Sequence, residues 1–182
     1  FSSSCTVYGA AVEMPLKECT SINSQESPYG ATKAICETLI YQALANKSFR
    51  ATSLRYFNPV GAHESGLIGE VQNNKSENLL PVIVDVAMGN RSILEIFGDD
   101  YPTSDGSCVR DFVHVCDVAE AHVSALNYIK SQENGFYEVF LSKKTIGQTL
   151  NIGSSFEISI EDLVNKIKVL MNSDKSVKIE NK

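Results

Sequence analysis

Stretches of helical periodicity alternate with short apolar runs along this chain, and no segment repeats another. That alternation constrains the fold most, because a crossover helix returns the chain to a parallel neighbouring strand and packs on the sheet it has just left. Residues 28–46 carry Ile35, Leu39 and Ala43 on one stripe, and Ser27 before Pro28 has the order of an N-cap and an early helical residue. Ala51-Thr52-Ser53-Leu54-Arg55-Tyr56-Phe57 reads as a buried strand, which Asn58-Pro59-Val60-Gly61 breaks into a loop. Leu79, Leu80, Ile83, Val86 and Ala87 mark a second helix ended by Gly89-Asn90, and Ile93-Leu94-Glu95-Ile96-Phe97-Gly98 reads as a second strand. A third helix over about 116–130 has Val118, His122, Ala125 and Ile129 on its apolar side. Leu150-Asn151-Ile152-Gly153 reads as a short strand. A last helix starts at Ser159, with Asp162 three residues on, and buries Ile160, Leu163, Val164, Ile167 and Leu170. The sum is an α/β chain with a mainly parallel sheet.

At 182 residues, 43% of them hydrophobic, the chain can bury the core of one large domain, or of one domain and part of another. A net charge of -6 excludes the basic footprint of a nucleic-acid surface, so an anionic ligand must be held by a few local cations and backbone amides. No apolar run is long enough for a membrane-spanning helix. Cys5, Cys19, Cys36, Cys108 and Cys116 form no CxxC pair and leave an odd one over, which reads as free thiols in a reducing, cytoplasmic compartment. The cluster Cys108, His114 and Cys116 lacks the paired short spacings of a structural zinc site, and Asp99 to Asp105 lacks the full calcium-loop pattern, so no metal is implied.

Chemistry enters with Ser27-Pro28-Tyr29-Gly30-Ala31-Thr32-Lys33. Tyr29 and Lys33 are four apart just inside a helix start, with Ser2, Ser3 and Ser4 upstream. Residues at i and i+4 share a helix face, and a cation beside a phenol favours the phenolate, a usable general base. The pair alone is weak evidence, and an exposed helix pair remains open. A complete dinucleotide-binding unit also needs a glycine-rich turn, and Gly61, Gly66 and Gly69 are too widely spaced to form one. The cofactor pyrophosphate site is therefore expected upstream of Phe1, in a longer parent, and this stretch by itself is expected to be inactive.

Six blocks carry a resemblance: 1–9 (FSSSCTVYG), 27–33 (SPYGATK), 54–63 (LRYFNPVGAH), 78–81 (NLLP), 96–123 (IFGDDYPTSDGSCVRDFVHVCDVAEAHV) and 150–155 (LNIGSS). In this order they closely resemble successive blocks of the UDP-glucose 4-epimerases, in the extended short-chain dehydrogenase/reductase superfamily. The resemblance implies the second part of a doubly wound parallel (Rossmann-like) sheet plus part of a smaller C-terminal substrate-binding α/β region. Residues 1–60 would be the C-terminal part of the NAD-binding domain with the Tyr/Lys helix. Residues 61–182 would be a nucleotide-sugar-binding region interleaved with the last Rossmann elements. The stretch 131–149 is longer than the family's usual link, and the family's last substrate-binding segment would lie after Lys182.

The resemblance also implies roles. Ser4, Tyr29 and Lys33 would be catalytic; Ser2, Ser3, Tyr29, Lys33, Tyr56 and Phe57 would meet NAD. Ser4, Tyr29, Phe57, Asn58, Asn78, Leu79, Phe97 and Arg110 would meet the substrate, with Arg110 clamping the pyrophosphate through its planar fork and Phe97 beside the uracil. UDP-glucose and UDP-galactose are the implied substrates, and a homodimer through the helix bearing Tyr29 is the implied assembly. Bland readings stand beside these. Asn58 could simply end its strand, Arg110 could pair with Asp111 or Asp105, Phe97 could be core packing, and His114 and His122 read as structural. Two other functions stay open: a non-catalytic remnant that keeps the fold for binding or assembly, and a nucleotide-sugar 4,6-dehydratase. Related dehydratases carry Thr-Asp-Glu where this chain has Ser4-Cys5-Thr6, and no carboxylate stands there.

Overall fold

A computed structural model of the chain describes residues 1–10, 14–22, 25–45, 50–70, 78–131 and 148–170. The elements run β1 (Ser2–Ser4), a 3-10 turn (Cys5–Tyr8), α1 (Pro28–Ala45), β2 (Thr52–Tyr56), β3 (Asn58–Val60), α2 (Leu79–Met88), β4 (Val109–His114), α3 (Val115–Ser131), β5 (Gln148–Ile152), β6 (Glu157–Ser159) and α4 (Ile160–Leu170). They form two compact units, Phe1–Pro59 with Val113–Gly153 and Val60–Phe112 with Ser154–Lys182.

The first unit is built on a parallel sheet of order β1-β2-β5, as the strand-helix alternation requires. Ser2, Ser3 and Ser4 pair with Leu54, Arg55 and Tyr56, so strand alternation puts Ser3 and Arg55 on one face and Ser2, Ser4 and Tyr56 on the other. Helix α1 covers the first face: Arg55 donates from Nε and Nη2 to the two oxygens of Glu37 at 2.9 and 2.6 Å. The hydroxyl of Ser3 donates to the same carboxylate, and the guanidinium stacks on the Tyr8 ring at 4.7 Å. Burial opposes the charge on Arg55, but Glu37 and Tyr8 outweigh it and raise the arginine above its ordinary value. Burial also raises the Tyr8 phenol, which stays protonated and donates to Asn151 Oδ1 at 2.6 Å, tying the 3-10 turn to β5. Helix α3 lies on the opposite face, where His122 meets Tyr56. Helices on both faces of a parallel sheet are the Rossmann-like arrangement implied by the sequence.

The second unit packs Val82, Ile83 and Val86 of α2 with Leu94, Ile96 and with Ile160 and Val164 of α4. Gly89 ends α2 at φ 82°, its N–H bonding the carbonyls of Asp85 and Val86. Ser159 caps α4, its hydroxyl accepting from the Asp162 N–H at 3.1 Å. A second sheet has the order β3-β4-β6, with β6 antiparallel to β4.

Four expectations are corrected. Ile93–Gly98 is not a strand: only Ile96 makes a single bridge, because Leu94 and Ile96 are anchored by side-chain burial and Gly98 turns the chain at φ 87°. Asn58-Pro59-Val60 is not a loop but the short strand β3. Ile35 and Leu39 do not face the core and are 59% and 63% exposed, since α1 turns Glu37 and Leu44 inward instead. Leu170 is exposed at the end of α4. Of the long link 131–149, residues 132–147 lie outside the described residues.

Candidate active site

Ser27 starts α1 as the sequence order requires, its hydroxyl accepting from the Gly30 N–H at 3.1 Å. Gly30 packs so closely that a Cβ there would stand 2.9 Å from the Thr6 carbonyl, which seats the first turn of α1 on the 3-10 turn after β1. One turn of helix then displays Tyr29 and Lys33. Tyr29 is 55% exposed, and the Lys33 ammonium lies 5.5 Å from the centre of its ring. That ammonium donates to the Ser2 carbonyl at 2.9 Å, and it also sits 5.3 Å from the Phe1 ring. The Tyr56 hydroxyl stands 2.9 Å from Ser2 Oγ and 2.6 Å from His122 Nε2. Tyr29, Lys33, Ser2 and Tyr56 are thus brought into one neighbourhood of the first unit.

Ser4 is buried, and its oxygen accepts from the backbone and hydroxyl of Thr6 at 3.3 and 3.0 Å, leaving its own O–H proton to donate. Strand alternation buries the Ser3 side chain against Glu37, on the sheet face opposite the Ser2 side chain. Phe57 is half-buried and its N–H donates to the Ile152 carbonyl at 3.0 Å; Asn58, also half-buried, opens β3.

The donors gathered in the first unit are one ammonium and the hydroxyls of Ser2 and Tyr56, beside an exposed phenol. An ammonium that only donates, with hydroxyls that both donate and accept, fits the sugar diol and neutral ring of a nicotinamide riboside. The residues present therefore suit that end of a dinucleotide.

In the second unit the remaining candidates sit on the elements that share its core. Asn78 stands at the N-cap position of α2, but its side chain turns outward and donates to Glu70 at 2.9 Å. Leu79 packs against the core. Phe97 is 64% exposed next to buried Ile96, so it is not core packing. Arg110 is exposed on β4, its Nη1 donating to the Val109 carbonyl at 3.2 Å, and it forms no ion pair among the described residues. The carboxylates suggested as its partners are engaged elsewhere. Asp111 accepts from the N–H and hydroxyl of Ser154, both at 2.8 Å, and from the Ser155 N–H at 3.1 Å. Asp105 accepts from the N–H and hydroxyl of Ser107, both at 2.9 Å.

Residues 1–153 match the NAD dependent epimerase/dehydratase family. The chain belongs to that family. A UDP-glucose 4-epimerase of Erwinia amylovora is 52% identical over 134 residues, 73% of this chain and 40% of the relative. One of Caenorhabditis elegans is 39% identical over 181 residues, 98% of this chain and 49% of the relative. The chain thus spans between two fifths and half of these relatives' length. The crystal structure of a Stenotrophomonas maltophila UDP-glucose-4-epimerase, with bound NAD and formylated UDP-arabinopyranose, superposes with a TM-score of 0.87 at 39% identity. It covers 100% of this chain and 51% of that one. That of the Bifidobacterium longum UDP-glucose 4-epimerase, in complex with NAD+ and UDP, has a TM-score of 0.85 at 34% identity, again over 100% of this chain and 51% of that one.

For this member of the epimerase/dehydratase family, the side chain that sequence reasoning missed is His122. Its place on the apolar side of a helix hid a ring with both nitrogens engaged: Nδ1 lies 2.8 Å from the Val118 carbonyl and Nε2 meets Tyr56. The signal available was a titratable residue on an otherwise apolar stripe, which is rarely left unpaired when covered.

Proposed function

We propose that the protein to which this chain belongs epimerises UDP-hexoses at carbon 4, interconverting UDP-glucose and UDP-galactose with NAD as cofactor. The observation that carries the reading is the Lys33 ammonium, held on the Ser2 carbonyl at 2.9 Å and flanking the exposed Tyr29 ring. Tyr29 takes the proton of the carbon-4 hydroxyl, and Ser4 hydrogen-bonds the same oxygen without giving up its proton. NAD, when bound, would supply a reversible hydride acceptor. Lys33 would hold the nicotinamide ribose, and Ser2, Tyr56 and Phe57 would line the same end of the cofactor. The 4-keto sugar then turns over before hydride returns to its other face, so the sugar must be loosely held and the nucleotide tightly held. Arg110, Phe97, Asn58, Asn78 and Leu79 supply that grip: a guanidinium for pyrophosphate oxygens, an exposed ring for the uracil, and amides for polar edges.

Residues 1–60 serve as the C-terminal part of the cofactor domain and 61–182 as the nucleotide-sugar region interleaved with its last elements. A homodimer through α1 is part of the same reading, supported by exposed Ile35 and Leu39 one turn apart on that helix. A cytoplasmic location is supported by five free cysteines. No helix among the described residues is long and apolar enough to cross a membrane.

Incubating the full-length protein with UDP-galactose tests the reading. UDP-glucose should accumulate without net NADH; loss of water to a 4-keto-6-deoxy sugar would mark a dehydratase instead, and stoichiometric NADH a simple dehydrogenase.

A further inference from the structure

Four side chains and two backbone carbonyls form a continuous chain of polar contacts in the first unit. Lys33 of α1 donates to the Ser2 carbonyl at 2.9 Å, and Ser2 Oγ on β1 stands 2.9 Å from the Tyr56 hydroxyl of β2. That hydroxyl stands 2.6 Å from Nε2 of His122 on α3, whose Nδ1 lies 2.8 Å from the Val118 carbonyl. The Tyr56 and His122 rings are 5.5 Å apart and tilted by 58°. The Val118 carbonyl fixes the direction of one link. A carbonyl only accepts, so Nδ1 carries a proton and donates to Val118; in the neutral imidazole Nε2 must then accept. The Tyr56 hydroxyl therefore bridges Ser2 Oγ and His122 Nε2, and Ser2 Oγ itself lies 3.5 Å from Nε2.

Resting on the function proposed above, we propose that Tyr56 and His122 are a positioning pair. They hold Ser2, and through its carbonyl the Lys33 ammonium, at the height of the Tyr29 ring. Ser2 is where α1 and α3 meet on β1: its carbonyl accepts from Lys33 of α1, and its hydroxyl meets Tyr56, which meets His122 of α3. A shift of Ser2 would carry its carbonyl away from the Lys33 ammonium. The helix-internal bond from His122 to Val118 keeps the imidazole oriented, as a second partner does for a working histidine. The sequence separations of 54 positions from Ser2 to Tyr56 and 66 from Tyr56 to His122 make this a device of the folded unit, not of a local motif.

The test uses full-length protein carrying His122→Phe, His122→Gln or Tyr56→Phe. Two readouts are taken: kcat and KM for UDP-galactose, and the rate at which an amine-acylating reagent labels Lys33, followed by peptide mass mapping against exposed Lys17. His122→Phe and Tyr56→Phe should raise Lys33 labelling about threefold to tenfold, the range set by losing one hydrogen bond. They should lower kcat about tenfold with KM for UDP-galactose little changed. His122→Gln, whose amide can accept from Tyr56, should return both readouts toward wild type. Unchanged Lys33 labelling in Tyr56→Phe, which removes a single oxygen and tests the idea even where His122→Phe fails to fold, would overturn the positioning role. So would a loss of turnover that His122→Gln does not relieve. A wild-type protein without epimerase activity would defeat the proposed function, while the labelling readout would still decide for or against the positioning pair.

Discussion

Lys33 donates to the carbonyl of Ser2 at 2.9 Å across 31 positions of sequence, so the side chain that flanks the Tyr29 phenol also pins α1 to β1. The proposed catalytic geometry and the fold are joined at that contact. The core beneath it is joined by a charge pair.

Glu37 and Arg55 should be costly to separate. Both carboxylate oxygens are engaged and the Arg55 side chain is 2% exposed, so Glu37→Gln leaves a buried cation without its counter-ion. A loss of about 3–5 kcal/mol is expected in urea unfolding. The double change Glu37→Leu with Arg55→Met should lose less than Glu37→Gln alone, because no uncompensated charge remains.

Gly106 should not tolerate alanine. Its φ of 76° is strained for an L side chain, and an added Cβ would stand 2.2 Å from the Asp99 carbonyl oxygen. Backbone strain of about 1–3 kcal/mol plus displacement of the 98–107 loop should appear as a lower unfolding midpoint for Gly106→Ala. An unchanged midpoint would mean that the loop relaxes freely.

Asp105 makes the second unit acid-sensitive in a defined direction. Hydrogen bonds from Ser159, then from Ser107 and Thr103, hold its carboxyl below the ordinary value of 3.8. The folded form thus binds the proton more weakly than the unfolded form. Its stabilising contribution is complete above about pH 4 and is lost as pH falls through the depressed folded value. Wild type should therefore exceed Asp105→Asn in urea midpoint by a constant margin near neutrality, and the margin should close under acid. A margin that widens under acid would contradict the assignment.

Arg110→Ala should chiefly weaken nucleotide-sugar binding. The loss of a charge-assisted bidentate contact predicts a tenfold or larger rise in KM for UDP-galactose, about 1.5 kcal/mol or more, with kcat little altered. A fall in kcat at constant KM would place Arg110 with the reacting atoms instead.

Much of this was legible in the sequence because it is local. The cap at Ser27, the left-handed Gly89 and the cap at Ser159 follow from residue type and position, and the structure forms all three. The parallel sheet follows from the spacing of strand and helix. What the sequence hid depends on faces and distant partners. Ser2 and Ser3 look equivalent in a serine run, yet a strand sends neighbours to opposite sides, and only the pairing with Arg55 shows which side Glu37 closes. Ile35 and Leu39 read as an inward stripe because apolar periodicity does not say which stripe the sheet takes. Here a salt-bridged glutamate took it. Ile93–Gly98 has strand composition but no ladder, since side-chain burial of Leu94 and Ile96 is enough to hold it. His122 had to be seen beside Tyr56 before its bonding could be read.

The central claim is that Tyr29 is the base that Lys33 serves, and turnover of Tyr29→Phe in the full-length protein tests it most directly. With UDP-galactose, kcat should fall by about 100-fold or more while UDP binds with wild-type affinity. Near-normal kcat in Tyr29→Phe would contradict the account.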